Sequence, residues 1–372
     1  MKYYIISGEA SGDLHGANLM KALFKAEPNA EVRFWGGDLM KNVGGTLVKH
    51  YKDLAFMGFV EVIANLQTIL KNIDFCKKDI KQFNPDVIIF IDYPGFNMRI
   101  AQWAKKKGYD THYYISPQIW AWKEGRIKAL KRDVNHMYVI LPFEKDFYEK
   151  KHHFPVHYVG HPLLDEIEDF KQHKTNDFKT VHNLDERPII ALLPGSRKQE
   201  IARLLTEMLG IVDDYPQYQF IIAGAPSLAA DFYQPFIKQE NVKLILNDTY
   251  NLLNNAYAAL VTSGTATLET ALFKVPQVVV YKANPISYQI AKRIIKLKYI
   301  SLVNLIMDEE IVVELIQNNC NTSTIKKEFN KVINNSDRTK ILARYHELSN
   351  VLGGGGASER VINIIKKTLR TF

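Results

Sequence analysis

Short, almost uninterrupted apolar runs alternate along this chain with longer stretches whose apolar residues recur every three or four positions. The first texture marks strands buried on both faces, the second helices with one buried stripe. Residues 2–6 read as a strand and 14–26 as a helix with Leu19, Leu23 and Ala26 on one face. DVIIFI (86–91) reads as a buried parallel strand, and the helix after it carries Phe96, Ile100, Trp103 and Ala104. THYYIS (111–116), VNHMYVIL (134–141) and PVHYVG (155–160) are further short strands. The polar, charged stretch EIEDFKQHKTNDFKT (166–180) interrupts the series. A second series opens with PIIALL (188–193), a PGSR loop, and a helix carrying Ile201, Leu204, Leu205, Met208 and Leu209. Strands follow at 218–223, 242–246, 258–262 and 277–281.

Strands that alternate with helices imply parallel sheets with right-handed crossovers. The expected fold class is therefore α/β, with two Rossmann-like, doubly wound domains facing a cleft. Their expected bounds are 1–165 and 166–350, with 351–372 as a C-terminal segment. Within that segment GGGG (353–356) reads as a hinge before a last helix, 357–369.

Composition narrows the picture only a little. A length of 372 residues suits two domains that each bury a core, and 47% hydrophobic with 24% charged residues excludes a disordered chain. Two cysteines, Cys76 and Cys320, form no disulfide framework and suit a reducing cytoplasm. No secretory signal is legible at the N-terminus, and no apolar stretch approaches the roughly 20 residues that span a bilayer. The net charge of +8 suits nucleic acid, an anionic membrane surface, phosphorylated small molecules, or plain solubility, and by itself chooses none of them.

Ligands of open parallel sheets bind beyond the carboxyl ends of the strands, so the residues there are the candidates. After the first strand comes SGEASGDLHG (7–16), with Gly8, Gly12 and Gly16 spaced unlike a dinucleotide fingerprint. LPGSR (193–197) turns at Pro194 and Gly195 into a helix N-terminus, where Arg197 offers a planar cationic fork suited to a pyrophosphate. The alternative is a plain capping box, with Ser196 as N-cap and Gln199 three residues on. SGTATLE (263–269) is a second Gly/Ser/Thr loop opening a helix, with Glu269 placed to accept ribose hydroxyls. Two such loops favour a nucleotide. Asp92 closes a buried strand before Tyr93-Pro94-Gly95, as a general base with a burial-raised pKa or as an ordinary Asx turn. His152, His153 and His157 lack helical register across Pro155, which argues against a zinc site. No Asp-x-Asp pair occurs to hold a pyrophosphate through a cation. The basic cluster behind Trp120 and Trp122 reads as an amphipathic surface helix, not a nucleic-acid module. DLAFMGFVEVIANLQTIL (53–70) is either a buried helix start or a greasy patch for acyl chains or a membrane.

Eight motifs together are specific. SGEASGD, IDYPGFN, YISPQIWAW, LPFE, GHPL, LPGSRKQE, SGTATLE and SLVNL follow in order from residue 5 to about 306 and resemble the lipid-A-disaccharide synthase family. The resemblance implies a GT-B glycosyltransferase whose last helix crosses back to the first domain. It implies an inverting transfer without metal or cofactor, from UDP-2,3-diacylglucosamine to 2,3-diacylglucosamine 1-phosphate (lipid X). The product would be the β-1,6-linked disaccharide 1-phosphate plus UDP. By position, Asp92 matches the family's base, Arg197 its UDP-binding arginine and Asn304 its donor-site asparagine. Gly195, Ser196, Ser263, Gly264, Thr265 and Glu269 would join them on the nucleotide. Gly8, Glu9, Ser11, Gly12, Asp13 and Ser116 would face the acceptor and donor sugars. Phe56, Met57, Phe59 and Val60 would meet acyl chains or the membrane. Gly95 departs from members that carry a second Asp there, so that carboxylate is not essential in this chain. The implied partners are an anionic inner-membrane surface on its cytoplasmic side, with no nucleic acid, and a second copy of the chain. Two rivals are a related GT-B enzyme on UDP-GlcNAc (an epimerase or a lipid II-type transferase) and a non-catalytic nucleotide or RNA binder.

Overall fold

The structure, a computed structural model, describes residues 1–54, 66–173, 177–295 and 297–369. The apolar residues Phe56, Met57, Phe59 and Val60 lie outside the described residues. The chain divides into two compact units, Met1–Pro162 with Gly355–Phe372, and Leu163–Gly354.

The first unit is built on strands β1 (Lys2–Ile6), β2 (Glu31–Gly36), β3 (Thr46–His50), β4 (Val87–Ile91), β5 (Asp110–Tyr114), β6 (His136–Val139) and β7 (His157–Tyr158). They pair in parallel in the order β3-β2-β1-β4-β5-β6-β7. All five residues of β4 are buried, because helices cover both faces of a sheet wound this way. After β1 the chain winds outward through β2 and β3, then returns to place β4 on β1's other side. That reversal is the topological switch point. Ala357–Leu369, the last helix, belongs to this unit. Its Val361, Ile362 and Ile365 enter the core with Tyr3, Leu19 and Leu23. Lys25–Glu359 (2.8 Å), Lys366 to the Ala26 carbonyl (3.0 Å) and Arg360 to the Val159 carbonyl (2.7 Å) fix it there.

In the second unit, β8 (Ile189–Leu193), β9 (Gln219–Gly224), β10 (Val242–Leu246), β11 (Ala256–Thr262), β12 (Gln277–Tyr281) and β13 (Glu314–Ile316) run parallel in the order β10-β9-β8-β11-β12-β13. Its switch point falls between β8 and β11. On one face the stripe Ile201, Leu204, Leu205 and Met208 of the Lys198–Leu209 helix packs on Ile190, Leu192 and Phe220. On the other, Leu252 and Leu253 pack on Ala191 and Val261.

Strand periodicity misses β2, β3 and β13. EVRFWG carries Glu31 and Arg33, and TLVKH is an edge strand with no fully buried residue. The first helix starts at Ala10 rather than residue 14, so Ala10–Asp13 are helical rather than loop. Two glycines lower the local propensity, and packing overrides it. A Cβ at Gly12 would lie 2.9 Å from Ser7 Cβ, and one at Gly16 2.5 Å from Met40 Sδ. Four-residue spacing puts both glycines on the helix face that packs closely against its neighbours.

Candidate active site

Beyond β4, Asp92 and Tyr93 take consecutive left-handed conformations, φ 42° and 48°. Such backbone costs on the order of 1–3 kcal/mol per residue unless its surroundings hold it. Here the Asn97 amide donates to the Asp92 carbonyl (2.8 Å) and to that of Ile91 (3.2 Å), and the Tyr113 hydroxyl donates to the Asp92 carbonyl (2.7 Å). The Asp92 N–H donates to the Tyr114 carbonyl at 3.1 Å. At the end of β1, Gly8 leaves room for the Tyr93 ring, whose atoms lie 2.3–2.5 Å from where a Cβ would sit. The two loops flanking the switch point are thus interlocked.

Burial, then the charge of Glu9, pushes the Asp92 carboxyl up to about 6, with a smaller upward push from Glu144 and a downward one from His15. A carboxylate poised there exchanges protons near neutral pH. Glu9 is the exposed N-cap residue of the Ala10–Ala26 helix, and Ser11 beside it is also exposed. Asp13 is different. Its buried carboxylate accepts from the N–H groups of Gly37 (2.7 Å), Leu39 (3.1 Å) and Met40 (3.1 Å), so it anchors the β2 loop instead of facing a sugar.

Ser116 is buried and donates to Glu144 at 2.6 Å. Glu144 is itself fully buried and accepts from Trp120 Nε1 (3.1 Å) and from the N–H groups of Ile140 (3.1 Å) and Leu141 (2.9 Å). Burial pushes its pKa up while those donors hold it down. This carboxylate ties the segment after β5, where Ile115 holds φ 64°, to the segment after β6. Sequence reading lacked Asn97, Glu144 and His15. The legible signal for Glu144 was Pro142 followed by Glu at the third helical position of LPFE.

In the second unit, the residues expected on a nucleotide flank its own switch point. LPGSR follows β8 and SGTATLE follows β11. Arg197, not Ser196, is the N-cap of the Lys198–Leu209 helix, and its side chain is exposed. The capping register therefore sits one residue later than the sequence suggests, and Glu200 replaces Gln199 at the third position. Gly195 takes φ 106°, and a Cβ there would sit 2.5 Å from Glu200 Oε2. Burial raises Glu200 above the usual carboxylate range, opposed by Arg197. Ser263 donates to the Ile300 carbonyl (2.8 Å), while Gly264 and Thr265 are exposed at the start of the Thr265–Leu272 helix. Glu269, half-buried one turn in, accepts from the Tyr250 hydroxyl at 3.3 Å.

Asn304 is committed elsewhere. Fully buried, it donates to the Val312 carbonyl (2.8 Å) and Glu314 (2.9 Å) and accepts from the N–H groups of Ile311 (2.8 Å) and Val312 (3.0 Å). Every polar position of its amide is used within the protein. It holds the 301–314 segment together and offers nothing to a ligand.

Two parallel-sheet α/β units, each with polar loops at its switch point, define the GT-B class. A solved UDP-GlcNAc 2-epimerase from Neisseria meningitidis, bound to UDP-GlcNAc, shares this fold at a TM-score of 0.70 and 14% identity, covering 99% of this chain and 100% of its own. Residues 3–360 match the family described as Lipid-A-disaccharide synthetase. A lipid-A-disaccharide synthase of Coxiella burnetii (strain CbuG_Q212) is 40% identical over 97% of this chain and 96% of its own. One from Geobacter metallireducens is 38% identical over 98% and 96%. The chain belongs to the lipid-A-disaccharide synthetase family and is an enzyme of lipid A disaccharide synthesis.

Proposed function

We propose that the chain transfers a 2,3-diacylglucosamine unit from its UDP derivative to the 6-hydroxyl of 2,3-diacylglucosamine 1-phosphate, releasing UDP. The observation that carries the mechanism is the Asp92 carboxyl, held at the switch point with its pKa pushed up to about 6. In this reading Asp92 takes the proton from the acceptor hydroxyl as that oxygen attacks the anomeric carbon, and the configuration inverts. The leaving diphosphate meets the exposed Arg197 and the positive ends of the helices after β8 and β11. Glu269 accepts from the ribose, while Gly8 and Glu9 border the reacting sugars. Ser116 serves through Glu144 by holding the loop after β5. No step uses a metal.

An anionic membrane surface is the matching partner. In support, the net charge is +8, and the exposed Trp122 carries Lys123 at 4.2 Å and Arg126 at 5.8 Å from its ring. Among the described residues no helix is long and apolar enough to cross a membrane.

The test is UDP release from UDP-2,3-diacylglucosamine with and without the acceptor, in detergent and EDTA. Acceptor-dependent release supports this reading. Turnover of UDP-GlcNAc alone would point to an epimerase-type activity on the same fold.

A further inference from the structure

The amino ends of the first unit's strands, away from Asp92, hold a second cluster of chemistry. Asp110 opens β5, His112 lies two residues on with no exposed surface, and His136 opens β6. The parallel register sets His112 beside His136. One donor atom from each of the three lies within 4.8 Å of the others. Asp110 Oδ2 is 2.9 Å from His112 Nε2, and the two imidazoles stack with centroids 4.7 Å apart.

We propose that Asp110, His112 and His136 form a binding site for one zinc-class divalent ion, separate from the reaction site. Two imidazoles and a carboxylate are a donor set favoured by late first-row ions. Bonds of about 2.0–2.1 Å to a tetrahedral ion place its ligand atoms roughly 3.3 Å apart. The Asp110–His112 pair is already near that spacing, and a side-chain rotation of the half-buried His136 closes the remainder. Tyr138 supplies the outer contact that fixes a metal-bound imidazole, its hydroxyl 2.8 Å from His112 Nδ1. A cavity of about 630 Å³ lined by Asp110, Asn135, His136, Thr368 and Lys105 leaves the fourth position open to water. Lys105 is turned to Asn135 Oδ1 at 3.0 Å.

Asp110 pairs with Val87 at the start of β4, whereas Asp92 follows its end. Four strand rises put these ends roughly 13 Å apart. The ion therefore clamps β5 to β6 and takes no part in transfer.

The experiment uses the full chain stripped with a chelator and titrated with Zn²⁺ against a chromophoric competitor. Asp110→Asn and His136→Gln are compared with wild type, and the exposed His346→Gln serves as control. The expected result is one bound equivalent, affinity reduced at least about tenfold in both site variants, and no change in His346→Gln. Zn²⁺ also raises the melting temperature of wild type but not of the site variants. Absence of a stoichiometric site, or equal binding by all four proteins, overturns the proposal. If either variant fails to fold, Co²⁺ absorption of the wild-type chain decides. Tetrahedral d–d bands support the site, and only hexa-aqua-like bands reject it.

Discussion

The side-chain amide of Asn97 donates to the main-chain carbonyl of Asp92 at 2.8 Å, and this contact holds the proposed base's backbone in its left-handed turn. Asn97 is fully buried and reaches the Ile6 carbonyl as well, at 3.3 Å, so one amide ties β1 to β4 at the switch point. Its removal frees both loops at once. Asn97→Ala is expected to lower kcat about tenfold or more, since a small misplacement of a reacting group costs up to two orders of magnitude. A fall in KM-normalised activity that merely tracked a loss of folded protein, seen by circular dichroism, would contradict this.

Asp92 gives a pH prediction with a definite sign. The carboxylate form is the base, so kcat/KM falls on the acid side with an apparent pKa of about 6. Asp92→Asn removes that limb along with about 10²–10⁴ of the rate. Stability moves the other way. A pKa raised in the folded state contributes stability that is complete below the unfolded value of about 3.9 and is lost as pH rises through 6. Asp92→Asn therefore melts higher than wild type at pH 8, and the difference closes near pH 4. Thermal melts at both pH values check it, and a uniform shift would refute the assignment.

Arg197 caps its helix through its backbone, and its side chain is free to meet a ligand. Arg197→Ala is thus expected to weaken UDP binding about ten- to hundredfold, the range for a lost charged hydrogen bond, with little change in melting. Calorimetric titration with UDP measures it. Arg197→Lys should recover charge but not the planar fork.

Asn304→Ala separates the family role of that position from its place in this fold. Four internal hydrogen bonds are lost, and a cost of about 2–4 kcal/mol in urea unfolding is expected. UDP affinity of the protein that remains folded should stay near wild type. A large affinity loss with unchanged stability would return Asn304 to the donor site.

Glu144→Gln replaces a four-fold acceptor with a group that itself donates, setting an NH₂ against the donors around it. A loss of about 2–4 kcal/mol is expected, because at least one buried donor is left without a partner. Equilibrium denaturation is the check.

Local pattern was enough to make much of this protein legible. Both α/β series, most buried strands, and the polar loops at their carboxyl ends follow from apolar runs and glycine or proline punctuation, which are properties of a few adjacent residues. What pattern could not supply was strand order, because pairing depends on which buried faces fit together. Only the fold sets β1 beside β4 and β8 beside β11, and so brings Gly8 to Tyr93 and LPGSR alongside SGTATLE. The same holds for the polar side chains. Asp13, Asn304 and Arg197 look alike in a motif, yet the loop after β2 takes up Asp13 and the turn before β13 takes up Asn304 as internal anchors, while Arg197 is left in solvent. Carboxylates are placed in the same way. Whether one becomes a base, like Asp92, or a brace, like Glu144, is decided by the donors and charges that tertiary packing puts around it.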